Sequence, residues 1–225
     1  MKPEIINITS REGPLEIIGG RYDSALLLNG ELIQFTYLRE IGSTWRYQVA
    51  RGIRENEFIG EKKFRNFVKY GYLNNDTLSD QFSYILKLLS AGKYQIEITA
   101  LKQEIGSLDI KEEFDDHYCF DSYGGMEEVL ETQSAYNEAI IQSYVGLINQ
   151  GQEPIVILLK THRSQNTFLI DGHHKFAAYK RLKESARCLL ITKLNSQKID
   201  KTKGLGYLEK YNSNTEYRNR FLDRI

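Results

Sequence analysis

The chain has 225 residues, 41% of them apolar and 12% aromatic, which is enough for a buried core and too many for a disordered segment. Thirty basic residues balance thirty acidic ones, so no net field draws the molecule to nucleic acid or to an anionic membrane surface, and neither partner is expected. Two cysteines, Cys119 and Cys188, stand too far apart in sequence for a paired metal site or a disulfide framework; with no signal-peptide pattern and no run of roughly 18 apolar residues, the expectation is a cytoplasmic protein.

The first third reads as β-rich. Ala25-Leu26-Leu27-Leu28 and Glu31 to Tyr37 flank Asn29-Gly30, the dipeptide that best tolerates the positive φ angles of a tight hairpin. Residues 44–53 continue as a third antiparallel strand, and residues 60–70 form a short basic helix with Phe64, Phe67 and Val68 buried. Over residues 75–91, Leu78, Phe82, Ile85, Leu86 and Leu89 recur at helical spacing, with Asp76 or Thr77 to cap the start and Gly92 to close the end. Residues 93–101 alternate as a strand should. The acid- and glycine-rich stretch 104–131 has no sustained period and is taken as a seam, with a boundary near residue 125; its run Glu112-Glu113-Phe114-Asp115-Asp116 reads as a solvated loop.

A helix follows over residues 132–150, with Ala139, Ile140, Tyr144, Leu147 and Ile148 on one side. Strands are expected at 154–159, 167–170 and 186–193, with a helix over 173–183. The Tyr-rich C-terminal stretch ends in a turn and a helix. The class is α+β: a β-rich N-terminal region, residues 1–125, followed by an α/β unit over residues 126–225.

One string concentrates polar chemistry: Phe168-Leu169-Ile170-Asp171-Gly172-His173-His174-Lys175-Phe176-Ala177-Ala178-Tyr179. A strand ending at Ile170 and a helix starting near His173 turn the first N–H groups of the helix toward the place where two histidines and a lysine stand, a setting that attracts anions. Phosphate is the ligand that suits it best, held by Gly172, His173, His174 and Lys175. Two other readings stay open. Asp171 can simply cap the helix, or a metal can bind, although adjacent helical histidines diverge by about 100° and need Asp171, His117 or His162 to complete a site.

The string, preceded by a helix and by Gly151-Gln152-Glu153-Pro154-Ile155-Val156-Ile157-Leu158, resembles the ParB/sulfiredoxin-like domain over about residues 130–195. That resemblance implies a strand–turn–helix–strand unit whose turn, Asp171 to Lys175 here, grips the phosphates of a nucleotide. Two letters depart from the family. His173 stands where sulfiredoxins carry the catalytic cysteine, which argues against that activity, and Lys175 replaces an arginine, keeping the charge without its bidentate fork. The superfamily includes partition proteins that bind and hydrolyse CTP, and a free-serine kinase that uses ADP; residues 194–225 are too few for the DNA-binding module of the former.

The expectation is therefore a bacterial nucleotide- or phosphate-binding protein, with a nucleotide-dependent phosphotransferase or nucleotidase as the enzymatic form. A kinase needs a general base and a metal-binding acid. Glu138 and Asp171 are the catalytic candidates, with Glu131 beside them; the cofactor implied is a nucleotide with Mg2+, and no resident metal is expected. The alternative is a non-catalytic interaction or regulatory protein that keeps the fold and meets a partner through residues 1–125.

Overall fold

The computed structural model describes residues 2–10, 13–41, 43–51, 68–71, 76–101, 109–113, 118–123, 128–131, 136–211 and 215–223. It is an α+β protein built on two six-stranded sheets. The first has the order β1 (Glu4–Ile8), β6 (Gly92–Leu101), β12 (Ala186–Lys193), β10 (Val156–Thr161), β11 (Asn166–Asp171) and β9 (Glu128–Glu131). It is mixed: β10 runs parallel to β12 and β11 parallel to β9, the other pairs being antiparallel. The second is antiparallel throughout, in the order β2 (Leu15–Gly19), β3 (Asp23–Leu28), β4 (Glu31–Ile41), β5 (Ser43–Ala50), β8 (Tyr118–Tyr123) and β7 (Asp109–Glu113).

Strand periodicity decides how the sheets stack. Successive side chains point to opposite faces, so a strand apolar on both faces is buried on both. Leu26 and Leu28 of β3, with Ile157 and Leu159 of β10, Phe168 and Ile170 of β11, and Leu189 and Ile191 of β12, form the core between the two sheets. The alternate residues Val156, Leu158, Leu169 and Cys188 turn outward beneath α3 (Glu138–Asn149) and α4 (His173–Leu182). On the far side Phe35, Tyr37, Tyr47 and Val49 of the second sheet are covered by α5 (Lys201–Lys210) and α6 (Thr215–Leu222), through Leu208, Tyr211 and Phe221. The result is four layers: helices, sheet, sheet, helices.

Burying a leucine or phenylalanine side chain contributes about 1.5–3 kcal/mol, so these three clusters are the main source of stability. Polar side chains mark one end of the inter-sheet layer. There Arg46 Nε donates to Asn166 Oδ1 at 3.1 Å, and the Ser24 and Ser164 hydroxyls lie 3.0 Å apart, all four residues buried. Tyrosines join the second sheet to its helices: the Tyr37 hydroxyl donates to the Tyr217 carbonyl at 2.6 Å and that of Tyr211 to the Leu32 carbonyl at 2.6 Å.

The hairpin at Asn29-Gly30 forms as expected, with φ of 52° and 77° at the two turn residues, and β5 adds the third antiparallel strand. The helix expected over 75–91 is broken into α1 (Leu78–Gln81) and α2 (Ser83–Lys87) at Phe82, whose φ/ψ of −104°/17° leaves the helical region. Thr77 caps α1 by accepting from the Asp80 N–H, and Glu4 of β1 accepts from the Leu78 and Ser79 N–H groups at 2.6 and 3.0 Å. Gly92 opens β6 instead of closing a helix.

Four further expectations are corrected. The division at residue 125 fails because β1 and β6 complete the first sheet beside β9–β12, while α5 and α6 cover the second; the central strands of the first sheet are apolar on both faces and need cover on both, and the chain supplies the layers from both halves. The seam holds β7, β8 and β9, strands too short and too polar to show a period. Ala139 and Ile140 of the expected face are exposed, Ile140 by 41%; Ile148 is buried as expected, and α3 buries Ile141 with it. The C-terminal stretch forms two helices, and of the basic helix over 60–70 all but residues 68–70, which are helical, lie outside the described residues.

Candidate functional site

The histidine turn joins β11 to α4 between the first sheet and its helices. Gly172 is the N-cap of α4 with φ/ψ of 93°/30°, a left-handed conformation that side chains resist. Space imposes the same choice. A Cβ here would stand 3.2 Å from the Val156 Cα and Cγ1 and 3.2 Å from the Lys175 Cδ. No side chain caps α4, so Asp171 is not the helix cap that one reading made it.

Asp171 accepts instead from Lys175 Nζ at 3.0 Å, and the same ammonium donates to the Ile155 carbonyl at 3.0 Å. Lys175 is 6% exposed. Its charge lies beneath the turn with two of its three N–H donors engaged, which corrects the expectation of a lysine held out to a phosphate. The aspartate side chain remains half-exposed.

His173 is buried, and desolvation pushes its imidazole down to about 4, although Glu131 and Asp171 pull the other way. His174 is half-buried, and burial lowers its pKa as well. Its Nε2 accepts the Asn137 backbone N–H at 2.9 Å, which fixes the neutral tautomer with the proton on Nδ1. Tyr136 packs edge-on against this ring, centroids 5.9 Å apart, and its hydroxyl donates to Glu131. Neutral imidazoles offer one N–H each and no charge.

Asn137 is the N-cap of α3, its side chain accepting from the Ala139 and Ile140 N–H groups. The Asn137–His174 bond thus places the starts of two helices side by side at the turn, where their dipoles add. Tyr144 of α3 shares the site: burial pushes its phenol up to about 12, with the charge of Asp171 acting in the same direction, so it stays a protonated donor.

Glu138 is placed otherwise than a base requires. Its two oxygens accept from Arg181 Nη1 and Nη2 of α4 at 2.5 and 3.0 Å, and Gln142 Nε2 donates at 2.8 Å. The Arg181 hydrogen bonds hold this exposed carboxyl down to about 2, far too acidic to take a proton from a hydroxyl near neutral pH. Glu131, at the end of β9, accepts from Tyr136 and from Lys180 Nζ at 3.3 Å.

Among the described residues no three His, Cys, Asp or Glu side chains converge. His162 sits at the other end of the β10–β11 hairpin, about 17 Å away by strand rise, and His117 lies outside the described residues. Cys188 is buried, its thiol pushed up to about 12 by desolvation, and is no nucleophile.

A second feature lies elsewhere. A groove of about 420 Å³ is lined by Gly13, Pro14, Glu16, Asn29, Gly30, Ser90 and Ala91. No motif pointed to it, and it shares no residue with the histidine turn. We take the turn as the principal site because two helix starts, two imidazoles and a half-exposed carboxylate converge there. Among the described residues no helix is long and apolar enough to cross a membrane. No family model matches the chain, nor does any curated protein or solved structure.

Proposed function

We propose that the chain binds a phosphate-bearing small molecule, a nucleotide in the first instance, at the turn from Asp171 to His174, as its resemblance to the ParB/sulfiredoxin-like domain implies. The observation that carries the reading is the pairing of the α3 and α4 starts through Asn137 and His174. The α4 start, with a glycine cap and no capping side chain, suits an anion, because first-turn N–H groups have no partner within their own helix.

In this arrangement the phosphate meets backbone N–H groups of α4 and an imidazole N–H, while Lys175 supports the turn from below. Magnesium enters with the nucleotide, since one half-exposed aspartate and phosphate oxygens are what such an ion ordinarily shares. A second reading, binding without turnover, is favoured by the engagement of Glu138 with Arg181, which leaves a phosphotransferase or nucleotidase without its expected base.

Thermal unfolding with a panel of nucleoside di- and triphosphates, inorganic phosphate and sulfate, each with and without Mg2+, tests the proposal. A ligand at a hundredfold excess over its dissociation constant adds about 2.7 kcal/mol to the stability of the state that binds it. The shift is expected to be lost in Asp171→Ala and His174→Ala. No shift with any anion, or a shift that survives both substitutions, removes the site from the turn; release of inorganic phosphate from a bound nucleotide would reject binding without turnover.

A further inference from the structure

Lys193 ends β12 in phase with Leu189 and Ile191, the residues that this strand buries between the sheets. A lysine in that register is 6% exposed. Its Nζ lies 3.3 Å from the Ile17 carbonyl oxygen and 3.3 Å from Ser90 Oγ. The Tyr94 phenol donates to the Ser90 carbonyl at 2.8 Å and stands 3.5 Å from Ser90 Oγ, fixing the serine from its other side.

Gly92 makes room for this contact. A Cβ there would come within 3.0 Å of the Lys193 Cε and 3.1 Å of the Tyr94 Cε2. Ser90 in turn lines the 420 Å³ groove described above, a volume within the usual range of small-molecule sites. Burial lowers the lysine's pKa, with the charge of Glu16 opposing it; a desolvated lysine next to a hydroxyl is a known way to activate a nucleophile.

We propose that Ser90 and Lys193 form a nucleophile–base pair that takes an acyl group from a small ester or amide bound in this groove. The assignment is independent of the histidine turn. In the neutral amine, one N–H donates to the Ile17 carbonyl while the nitrogen lone pair receives the Ser90 proton. As Ser90 Oγ bonds to the acyl carbon, that proton passes to Lys193. The tetrahedral intermediate then expels the alcohol or amine, which carries off the proton from Lys193. Water attacks the acyl-serine by the same route in reverse, giving up one proton to Lys193, which returns it to Ser90 Oγ as the acid leaves.

Asn29 supplies the side-chain amide among the described lining residues, and is the donor we assign to the developing oxyanion. Glu16 on the same wall repels anionic substrates. The other walls are glycine, proline and alanine, so a small neutral or cationic acyl compound is the class that fits.

A fluorophosphonate reports such a serine directly: Oγ displaces fluoride from phosphorus, and the proton leaves with it through Lys193. The full chain, incubated with the probe and read by intact mass and peptide mapping, is expected to gain one adduct, at Ser90, absent from Ser90→Ala. Lys193→Met, with its fold checked by circular dichroism, is expected to label at least 10²-fold more slowly. No adduct at Ser90, or labelling unchanged in folded Lys193→Met, overturns the proposal. Should Lys193→Met not fold, Ser90→Cys replaces it. Its thiol is expected to react with iodoacetamide at pH 7 about tenfold faster than an ordinary cysteine, because the neutral Lys193 amine takes the thiol proton and leaves a thiolate–ammonium pair; an unaccelerated thiol overturns the pairing.

Discussion

Lys175 separates two accounts of the histidine turn, one in which it supports the backbone and one in which it meets a ligand. Lys175→Met keeps the aliphatic stem, which packs against Gly172, and removes the ammonium. The Ile155 carbonyl, on a residue 0% exposed, loses a charged donor at 3.0 Å; such a loss costs about 1.5–3 kcal/mol. Asp171 loses its partner too, but its half-exposed carboxylate is resolvated, so that share is small. The sum is about 2 kcal/mol in the ligand-free protein, or a fall of about 4–8 °C in Tm for a chain of this size. Urea and thermal unfolding without added anion measure it. A variant as stable as the parent, yet unable to bind phosphate, would refute the supporting role and restore Lys175 as a ligand.

Gly172→Ala is expected to cost about 1–3 kcal/mol, since it places a side chain in a left-handed conformation against the Val156 backbone; a denaturation midpoint equal to the parent's would show that the turn relaxes freely. His173, with a folded pKa of about 4 against an ordinary 6.5, stays neutral in the fold while the unfolded chain takes up a proton. Stability therefore falls as the pH drops from about 6.5 to about 4, by on the order of 3 kcal/mol, and His173→Leu should flatten that dependence in unfolding measured at pH 4.5 and pH 7. Gly204→Ala gains helix propensity but sets a Cβ 2.2 Å from the Phe221 ring atom Cζ; the clash outweighs the gain of about 1 kcal/mol, and a lowered Tm is the expected reading. Glu138→Gln should leave phosphate binding unchanged in the same thermal assay that Asp171→Ala abolishes.

What the sequence disclosed follows from which interactions are local. The Asn29-Gly30 turn, the alternation in 93–101 and the strand–turn–helix order around Asp171 rest on neighbours in the chain, and each appears at its expected place. The pairing of β1 with β6 and of β6 with β12 was illegible, because register between distant strands leaves no local mark. The same holds at the site. Nothing near Glu138 announces Arg181, 43 residues on, and nothing near Lys175 shows that the Ile155 carbonyl will claim its charge. Lys193 did leave a signal, a cation in the core-facing phase of Leu189 and Ile191, and a reading that asked which strand residue breaks its own alternation would have found it.

The histidine turn combines two demands that oppose each other. An anion site needs helix N–H groups left without a side-chain cap, yet an Asn, Asp, Ser or Thr cap contributes about 1 kcal/mol over alanine and a few tenths of that over glycine. At α4 the cap is Gly172, which leaves the helix start open to a ligand. The lysine one turn in offsets that loss, tying Asp171 and Ile155 together from beneath the turn. At α3, by contrast, Asn137 caps its own helix and gives its backbone N–H to His174. One helix start is closed by its own side chain; under the proposed function the other receives the anion.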